Sequence, residues 1–198
     1  MDYFNTEGII LAAGFSSRAG RNKLLLDVGG KPIIERCISS MYDVCTKVIV
    51  VGGHRIEDIR PLVTKYSKVE LVFNPDFECG MFSSVKKGLS RVAAERFFIT
   101  PGDYPIVSKD TCREILETDE DIVVPVFNGK RGHPVLMKSH LIDEILTDNT
   151  LEAMRDFIKS KPYYRLHVED EGVLLDVDDM DDYFKLLDRI QLKESVRI

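Results

Sequence analysis

The chain has 198 residues, of which 44% are hydrophobic and 30% are charged, and this composition is typical of a globular protein with a core of its own. Its net charge of −6 argues against nucleic acid or an anionic membrane as a partner, because proteins that bind those polyanions present a basic surface. The four cysteines form no CxxC pair, so neither a structural zinc site nor a disulfide framework is expected.

The N-terminal segment, MDYFNTE, is polar and acidic. It lacks the basic flank and the apolar stretch of a secretory signal, and no later apolar run has the length of a membrane span. We therefore expect a cytoplasmic protein without a membrane partner.

Strand-like apolar runs alternate with amphipathic stretches in the first part of the chain. Strands are predicted at residues 8–13, 47–53, 69–73, 96–100 and 121–126, and helices at 32–45, 55–66, 80–94 and 108–117. This alternation predicts an α/β fold with a mostly parallel sheet between two layers of helices. Ligands bind such sheets at the carboxyl ends of the strands, which singles out the loop after residue 13 and the turns at 52–55 and 101–105.

The pattern after residue 126 is less regular. Strands are predicted at 132–137, 163–168 and 173–177, two helices within 139–159, and a last helix at 179–192. Neither an internal repeat nor a low-complexity linker divides the chain, so we expect residues 1–198 to form one domain.

The segment GIILAAGFSSRAGRNKLLL, residues 8–26, leads from a buried strand into a loop of small residues and cations. The loop lacks the G-x-G-x-x-G pattern of dinucleotide-binding folds, and one residue too many separates Gly14 from Gly20 for a Walker loop. Backbone N–H groups, Arg18 and Lys23 could nevertheless hold phosphate oxygens. The alternative is an ordinary solvated loop.

This segment resembles the N-terminal signature of the MobA-like nucleotidyltransferases. The matching residues are Leu11, Ala12, Ala13, Gly14, Arg18, Gly20 and Lys23, with Ala19 in place of the usual Met or Phe. Further motifs of that family have counterparts in the same order: Asn74-Pro75 with Gly80-Met81, Ser83-Ser84-Val85 and Gly88-Leu89, then PGDYP at 101–105, RGHPV at 131–135 and LDVD at 175–178. The LAAG and RGHPV segments are most similar to those of the family's cytidylyltransferase (MocA) branch, although Asp179-Met180 replaces a Thr-Pro pair.

The resemblance implies a three-layer, Rossmann-like nucleotidyltransferase fold in which residues 1–126 bind the nucleotide and residues 127–198 complete the acceptor and metal sites. It implies transfer of CMP from CTP to the terminal phosphate of molybdenum-bound molybdopterin, with release of pyrophosphate. Mg²⁺ or Mn²⁺ is the implied cofactor, and an apo-molybdoenzyme or its chaperone is an implied further partner. Two alternatives stay open: a relative that uses GTP or another phosphorylated acceptor such as a sugar phosphate, and a noncatalytic cofactor carrier.

The resemblance also assigns roles to single residues. Lys23 would neutralise charge at the α-phosphate, Arg18 would hold the β- and γ-phosphates, and Asp103 completes the catalytic set. The implied nucleotide contacts are Leu11, Ala12, Ala13, Gly14, Arg18, Lys23, Ser84, Pro101 and Gly102.

Asp103 is also the first candidate metal ligand, and Asp178 or Asp176 is the second. The predicted strand at 173–177 suggests that these last two carboxylates share one face, and one of them is expected to reach the metal. The alternatives are a turn role for Asp103 and a stabilising position for the other acids before the last helix. His133 and Met81 are candidates for acceptor binding, the alternatives being a structural histidine and a helix-packing methionine.

Overall fold

The structure is a computed structural model that describes residues 5–14 and 22–195, with side chains up to residue 191. The described residues contain eight strands, β1 (Thr6–Ala12), β2 (Lys47–Gly52), β3 (Val69–Phe73), β4 (Arg96–Pro101), β5 (Ile122–Phe127), β6 (Lys130–Arg131), β7 (Val135–Lys138) and β8 (Tyr164–His167). They form one sheet in the order β3-β2-β1-β4-β7-β5-β6, and β8 also pairs with β5.

The sheet is mixed but mostly parallel. Strand β1 lies parallel to both β2 and β4, β2 is parallel to β3, and β5 is parallel to β8. Only the pairs that involve β6 and β7 are antiparallel. The carboxyl ends of β1, β2 and β4 therefore meet at one edge, where ligands of open α/β sheets bind.

Helices cover both faces of the sheet. They are α1 (Ile33–Met41), α2 (Ile56–Val63), α3 (Met81–Leu89), α4 (Lys109–Leu116), α5 (Ile142–Thr147), α6 (Met154–Ser160) and α7 (Met180–Ser195). Ile10 and its neighbours on one face pack against α1, α2, α4 and α7, whereas Ile9 and its neighbours pack against α3, α5 and α6. Both isoleucines are fully buried because successive side chains of a strand point to opposite faces. The three-layer α/β prediction is confirmed.

The strands predicted before residue 127 are all present, with ends that differ by at most two residues. Helices α1 and α3 end earlier than predicted, at Met41 and Leu89. Val44 and Val92 continue the apolar pattern beyond these ends, but they pack against the core from turns. No helix of the described residues is both long and apolar enough to cross a bilayer.

The predicted strand at 173–177 is wrong. Residues Glu171–Leu174 form a short 3-10 helix instead, because the Asp170 side chain accepts a hydrogen bond from the Gly172 N–H at 2.9 Å and caps it. Asp176 and Asp178 are therefore not placed by the alternation of a strand. The predicted strand at 132–137 begins only at Val135, since the chain at Gly132 and His133 turns aside to contact the segment around Val173.

Helix α3 lies so close to β1 that its contact residue has to be glycine. A Cβ on Gly88 would lie 2.7 Å from the Ile9 Cγ2 and 3.2 Å from the Val51 Cγ2. The first distance is shorter than real Cβ contacts and the second is tight, so a methyl group at Gly88 would force Ile9 or α3 to shift.

We predict that Gly88→Ala lowers the free energy of unfolding by about 1–3 kcal/mol through overpacking, despite the better helix propensity of alanine. The measurement is chemical denaturation, with Lys87→Ala in the same helix as the control. A Gly88→Ala protein as stable as the parent would contradict the close packing of α3 on β1.

Candidate active site

Three charged side chains from distant parts of the chain meet at the carboxyl edge of the sheet. The Lys23 Nζ donates to the Asp103 Oδ2 at 2.7 Å and to the Asp178 Oδ1 at 3.1 Å. The side chains of Lys23 and Asp103 are only 14% and 16% exposed, whereas that of Asp178 is 51% exposed. The cluster is thus a partly buried ammonium between two carboxylates.

Lys23 is held at the start of the short 3-10 helix Lys23–Leu25. The Asn22 side chain caps this helix by accepting from the Leu24 N–H at 3.2 Å, and Leu24 is buried in the core. A polar cap and an apolar anchor, both in the sequence NKLLL, therefore fix the backbone that carries the lysine.

Asp103 is placed by the tight junction between β4 and β1. The Gly102 N–H donates to the Leu11 carbonyl oxygen at 2.8 Å, and a Cβ on Gly102 would lie 3.1 Å from that same oxygen. Glycine is the residue that allows this approach. The Asp103 carbonyl in turn accepts from the Val177 N–H at 2.9 Å, so the backbone next to Asp178 is tied to the backbone of Asp103.

Asp170 anchors the segment that carries Asp178. Its Oδ2 accepts from the Ser108 N–H and from the Thr111 Oγ1, both at 2.8 Å, and its Oδ1 accepts from the Gly172 N–H at 2.9 Å. These bonds join the beginning of α4 to the 3-10 helix Glu171–Leu174. The sequence analysis missed this residue, because its role depends on partners about 60 positions away in the chain.

The electrostatics follow from an excess of carboxylates around one cation. Burial disfavours the charged form of Lys23, but the ion pairs with Asp103 and Asp178 outweigh it and raise the pKa. Loss of solvent and the nearby charges of Asp103, Asp178 and Asp182 raise the pKa of Asp176. Within the described residues, the buried Asp103 Oδ1 has no hydrogen-bond partner, so this carboxylate can accept a further donor or a cation.

His133 and Tyr104 form the wall beside this cluster. Their rings meet edge to face with centroids 4.9 Å apart. The backbone N–H of His133 donates to the Val173 carbonyl at 2.9 Å. Burial lowers the pKa of His133 and also raises that of Tyr104 well above its ordinary value, so both rings are neutral near pH 7.

A pocket of about 430 Å³ opens next to this wall. Four residues predicted for the site line it: Leu11, Met81, Pro101 and His133. Met81 is 64% exposed, so its side chain does not act as core packing. The sequence analysis did not assign Met154 and Arg155 of α6 to the site, although both line the pocket, because no motif marks them and only the sheet topology brings α6 to this edge.

Among the described residues, the others predicted to contact the nucleotide do not line this pocket. Ala12 and Ala13 are buried at the end of β1, and Gly14 is exposed. Ser84 is only 2% exposed, and its Oγ accepts from the Asn74 Nδ2 at 3.0 Å. Arg18 lies outside the described residues.

The donor set fits a hard divalent cation. Mg²⁺ and similar ions bind through one or two carboxylates and keep water or substrate phosphates as their other ligands. Asp103 and Asp178 supply such a pair, and Lys23 shows that the pair accepts a positive charge. Among the described residues, no group of three or more His, Cys, Asp or Glu side chains could form a complete protein-only metal site.

Residues 8–167 match the family model of the MobA-like NTP transferase domain. The chain belongs to this family. The MobA-like chain is 30% identical over 182 residues to the molybdenum cofactor cytidylyltransferase of Escherichia coli K12. The matched residues cover 91% of this chain and 95% of that protein. It is also 30% identical to a probable molybdenum cofactor guanylyltransferase of Bacillus cereus over 67% of each chain.

The fold of the MobA-like chain has solved counterparts. Rv0371c of Mycobacterium tuberculosis H37Rv is 25% identical, with a TM-score of 0.80 over 92% of this chain and 97% of that one. A second structure of Rv0371c is a complex with manganese, with a TM-score of 0.74 over 93% and 98% of the two chains at 25% identity. Together these comparisons make the protein a nucleotidyltransferase.

We predict that Asp170→Ala lowers stability by about 2–3 kcal/mol, because three donors lose a partly buried acceptor. We also expect turnover to fall at least tenfold at temperatures where the variant is folded, since Asp178 is no longer anchored. Glu169→Ala, at the exposed neighbouring position, is the control. Full turnover in folded Asp170→Ala protein would show that the anchor does not position the site.

Proposed function

We propose that this nucleotidyltransferase transfers CMP from CTP to the terminal phosphate of molybdenum-bound molybdopterin and releases pyrophosphate. The observation that carries the proposal is the Lys23–Asp103–Asp178 cluster beside an apolar pocket, in a chain similar over 91% of its length to a molybdenum cofactor cytidylyltransferase. The cluster suits polyphosphate chemistry, and the pocket provides space for a second substrate.

The two parts of the chain divide the work in this proposal. Residues 1–126 are proposed to bind the nucleotide through the segment after β1, and residues 127–198 to complete the acceptor pocket and to supply the second carboxylate. The ion pair between Lys23 and Asp178 supports this division, because it joins residues 155 positions apart at one site. The proposed reaction takes place in the cytoplasm, with an apo-molybdoenzyme or its chaperone as recipient of the product.

The proposed reaction is a displacement at the α-phosphorus of CTP. An oxygen of the acceptor phosphate forms a bond to this phosphorus, and the bond to the α,β-bridging oxygen breaks. The electron pair of that bond leaves with pyrophosphate. Lys23 neutralises charge that builds up on the phosphate oxygens, which is the main contribution a protein makes to phosphoryl transfer, while Arg18 is proposed to hold the β- and γ-phosphates.

We assign Mg²⁺ as the cofactor, with Mn²⁺ as a substitute, held by Asp103 and Asp178. When bound, a divalent cation neutralises phosphate charge and orients the triphosphate. Asp178 is preferred to Asp176 because Asp178 shares the Lys23 ammonium with Asp103. The manganese complex of the similar Rv0371c supports a divalent cofactor.

A guanylyltransferase is the second candidate. Its support is the 30% identity over two thirds of the chain to a probable molybdenum cofactor guanylyltransferase. The two candidates share the acceptor and differ in the nucleobase, so base selectivity decides between them.

The test is pyrophosphate release from CTP, GTP or ATP with Mg²⁺, with and without molybdenum-loaded molybdopterin. We expect pyrophosphate release with CTP but not with GTP or ATP, and only when the pterin is present. Release with GTP would establish the second candidate. Pyrophosphate release that occurs only when a sugar phosphate replaces the pterin would contradict the proposed acceptor. Tight CTP binding without pyrophosphate release for any acceptor would indicate a noncatalytic cofactor carrier.

We predict two opposite effects of Lys23→Met. Turnover should fall at least about a hundredfold, because a fixed charge at the reacting phosphates is lost. The Mn²⁺ affinity of the nucleotide-free protein should rise, because the cation no longer competes with an ammonium for Asp103 and Asp178. Isothermal titration calorimetry with Mn²⁺ measures the second effect.

Lys31→Met, which removes the same charge from an exposed position, is the matched control. Asp103→Asn should weaken Mn²⁺ binding and thereby confirm which carboxylates are involved. An unchanged or lower Mn²⁺ affinity of Lys23→Met would place the metal at other ligands.

A further inference from the structure

The pocket beside the Lys23 cluster has a positively charged rim to which the motif analysis assigns no role. Its volume is about 430 Å³, and Arg131 and Arg155 line it together with Phe82 and Met154. We propose that this pocket binds the ring system of the acceptor, and that Arg131 and Arg155 select acceptors by pairing with their negative charge. This inference rests on the proposed function.

The position of the pocket suits the acceptor better than the nucleotide base. Leu11 of β1 and Pro101 of β4, which the sequence analysis assigns to the nucleotide, also line it and are partners across the sheet. Pro101 lies two residues before Asp103, so the pocket borders the proposed nucleotide site. The other strand residues in its lining come from β4, β5, β6 and β7, and none comes from β2 or β3. The pocket therefore extends from the reacting groups toward the part of the chain that follows residue 126.

The apolar walls suit a flat heterocycle. Phe82 and Met81 begin α3, and Met154 begins α6, so two helix ends face each other across the opening. Methionine side chains adapt to the outline of a ring and make favourable contacts with aromatic systems. A volume of this size is ordinary for a small-molecule site. In the proposed complex, the exposed Met81 side chain packs against the ring of the ligand.

The charges at the rim suit an anion. Arg155 is 78% exposed, and its Nε lies 3.7 Å from the adjacent Asp156, a distance that leaves its guanidinium N–H groups able to donate to a ligand. The Arg131 Nη1 is 3.4 Å from the Tyr163 Oη. Glu152 opposes these two cations, and His133 contributes no charge near neutral pH because burial lowers its pKa. The lining is positive in a chain whose net charge is −6.

These observations define the ligand as a flat, fused heterocycle that carries anionic groups. Its phosphate would point toward Lys23 and Asp103, and its rings would lie against Phe82 and Met154. Arginine pairs with planar or multiply charged oxygen groups, such as carboxylates and phosphates, more specifically than lysine does, because its donors form a rigid fork. A neutral or purely sugar-like acceptor would not use both arginines.

The experiment compares Arg131→Ala and Arg155→Ala with Arg165→Ala. Arg165 is the matched control because its guanidinium also lies over the Tyr163 ring, at 5.5 Å against 5.9 Å for Arg131, but Arg165 does not line the pocket. Two quantities are measured for each variant: equilibrium binding of metal-free molybdopterin, followed by its fluorescence, and KM for both substrates in the pyrophosphate assay.

We expect each pocket variant to weaken molybdopterin binding about fivefold to tenfold, as the loss of an exposed charge-assisted hydrogen bond does. The acceptor KM should rise by the same factor, while the CTP KM stays unchanged. In Arg165→Ala, molybdopterin binding and both KM values should match those of the parent protein. Because these arginines are exposed, their removal leaves the core intact. Ala153→Phe, which adds a ring to the pocket lining, should block the acceptor without changing CTP binding.

The outcomes separate this inference from the proposed function. If the parent protein binds molybdopterin and releases pyrophosphate but both arginine variants match Arg165→Ala, the pocket assignment is overturned and the proposed function stands. If the variants raise the CTP KM instead, the pocket holds the nucleotide base. If the parent protein neither binds nor uses molybdopterin, the proposed function fails, and with it the acceptor named here.

Discussion

The ion pair of Lys23 with Asp103 and Asp178 is the interaction on which the rest of the site depends. It joins residues separated by 80 and 155 positions, and it compensates two carboxylates that would otherwise repel each other in a partly buried place. The backbone supports it from both sides, through the hydrogen bond between Val177 and Asp103 and through the anchor at Asp170. The site is therefore complete only when the end of the chain has packed onto its beginning.

This arrangement also explains how an acidic protein can act on polyanions. The negative charge of the site is concentrated on carboxylates that a divalent cation can take over, and Lys23 is then available to the phosphates. One lysine thus has two partners in turn, the carboxylates in the free protein and the phosphates in the proposed complex. A divalent cation held by Asp103 and Asp178 would offset the negative charge of the site, whereas the net charge of the whole protein is largely screened beyond about 10 Å.

Local sequence patterns predicted the strands before residue 127 well, because buried parallel strands are continuous apolar runs that end in small residues. Asp103 lies two residues after β4, but the roles of Lys23 and Asp103 were predicted from the resemblance of their motifs to the MobA-like family. The pattern at 173–177 misled, because Val173 and Val177 alternate as in a strand while Asp170 and Gly172 turn the backbone into a 3-10 helix. Asp170 and Arg155 could not be predicted, as their partners are assembled only by the fold.

The separation of the two substrate regions has a consequence for selectivity. The nucleotide is proposed to contact the end of β1 and the residues after it, whereas the acceptor is proposed to contact α6, β6 and the N-terminus of α3. Leu11 at the end of β1 borders both regions. Gly88 allows α3 to pack closely on β1, and the core contacts of α3 do not involve Arg131 or Arg155. A change at Arg131 or Arg155 can therefore alter which acceptor is used without moving the phosphates. In this proposal, base choice and acceptor choice depend on different residues, and Lys23 serves the reaction of both substrates.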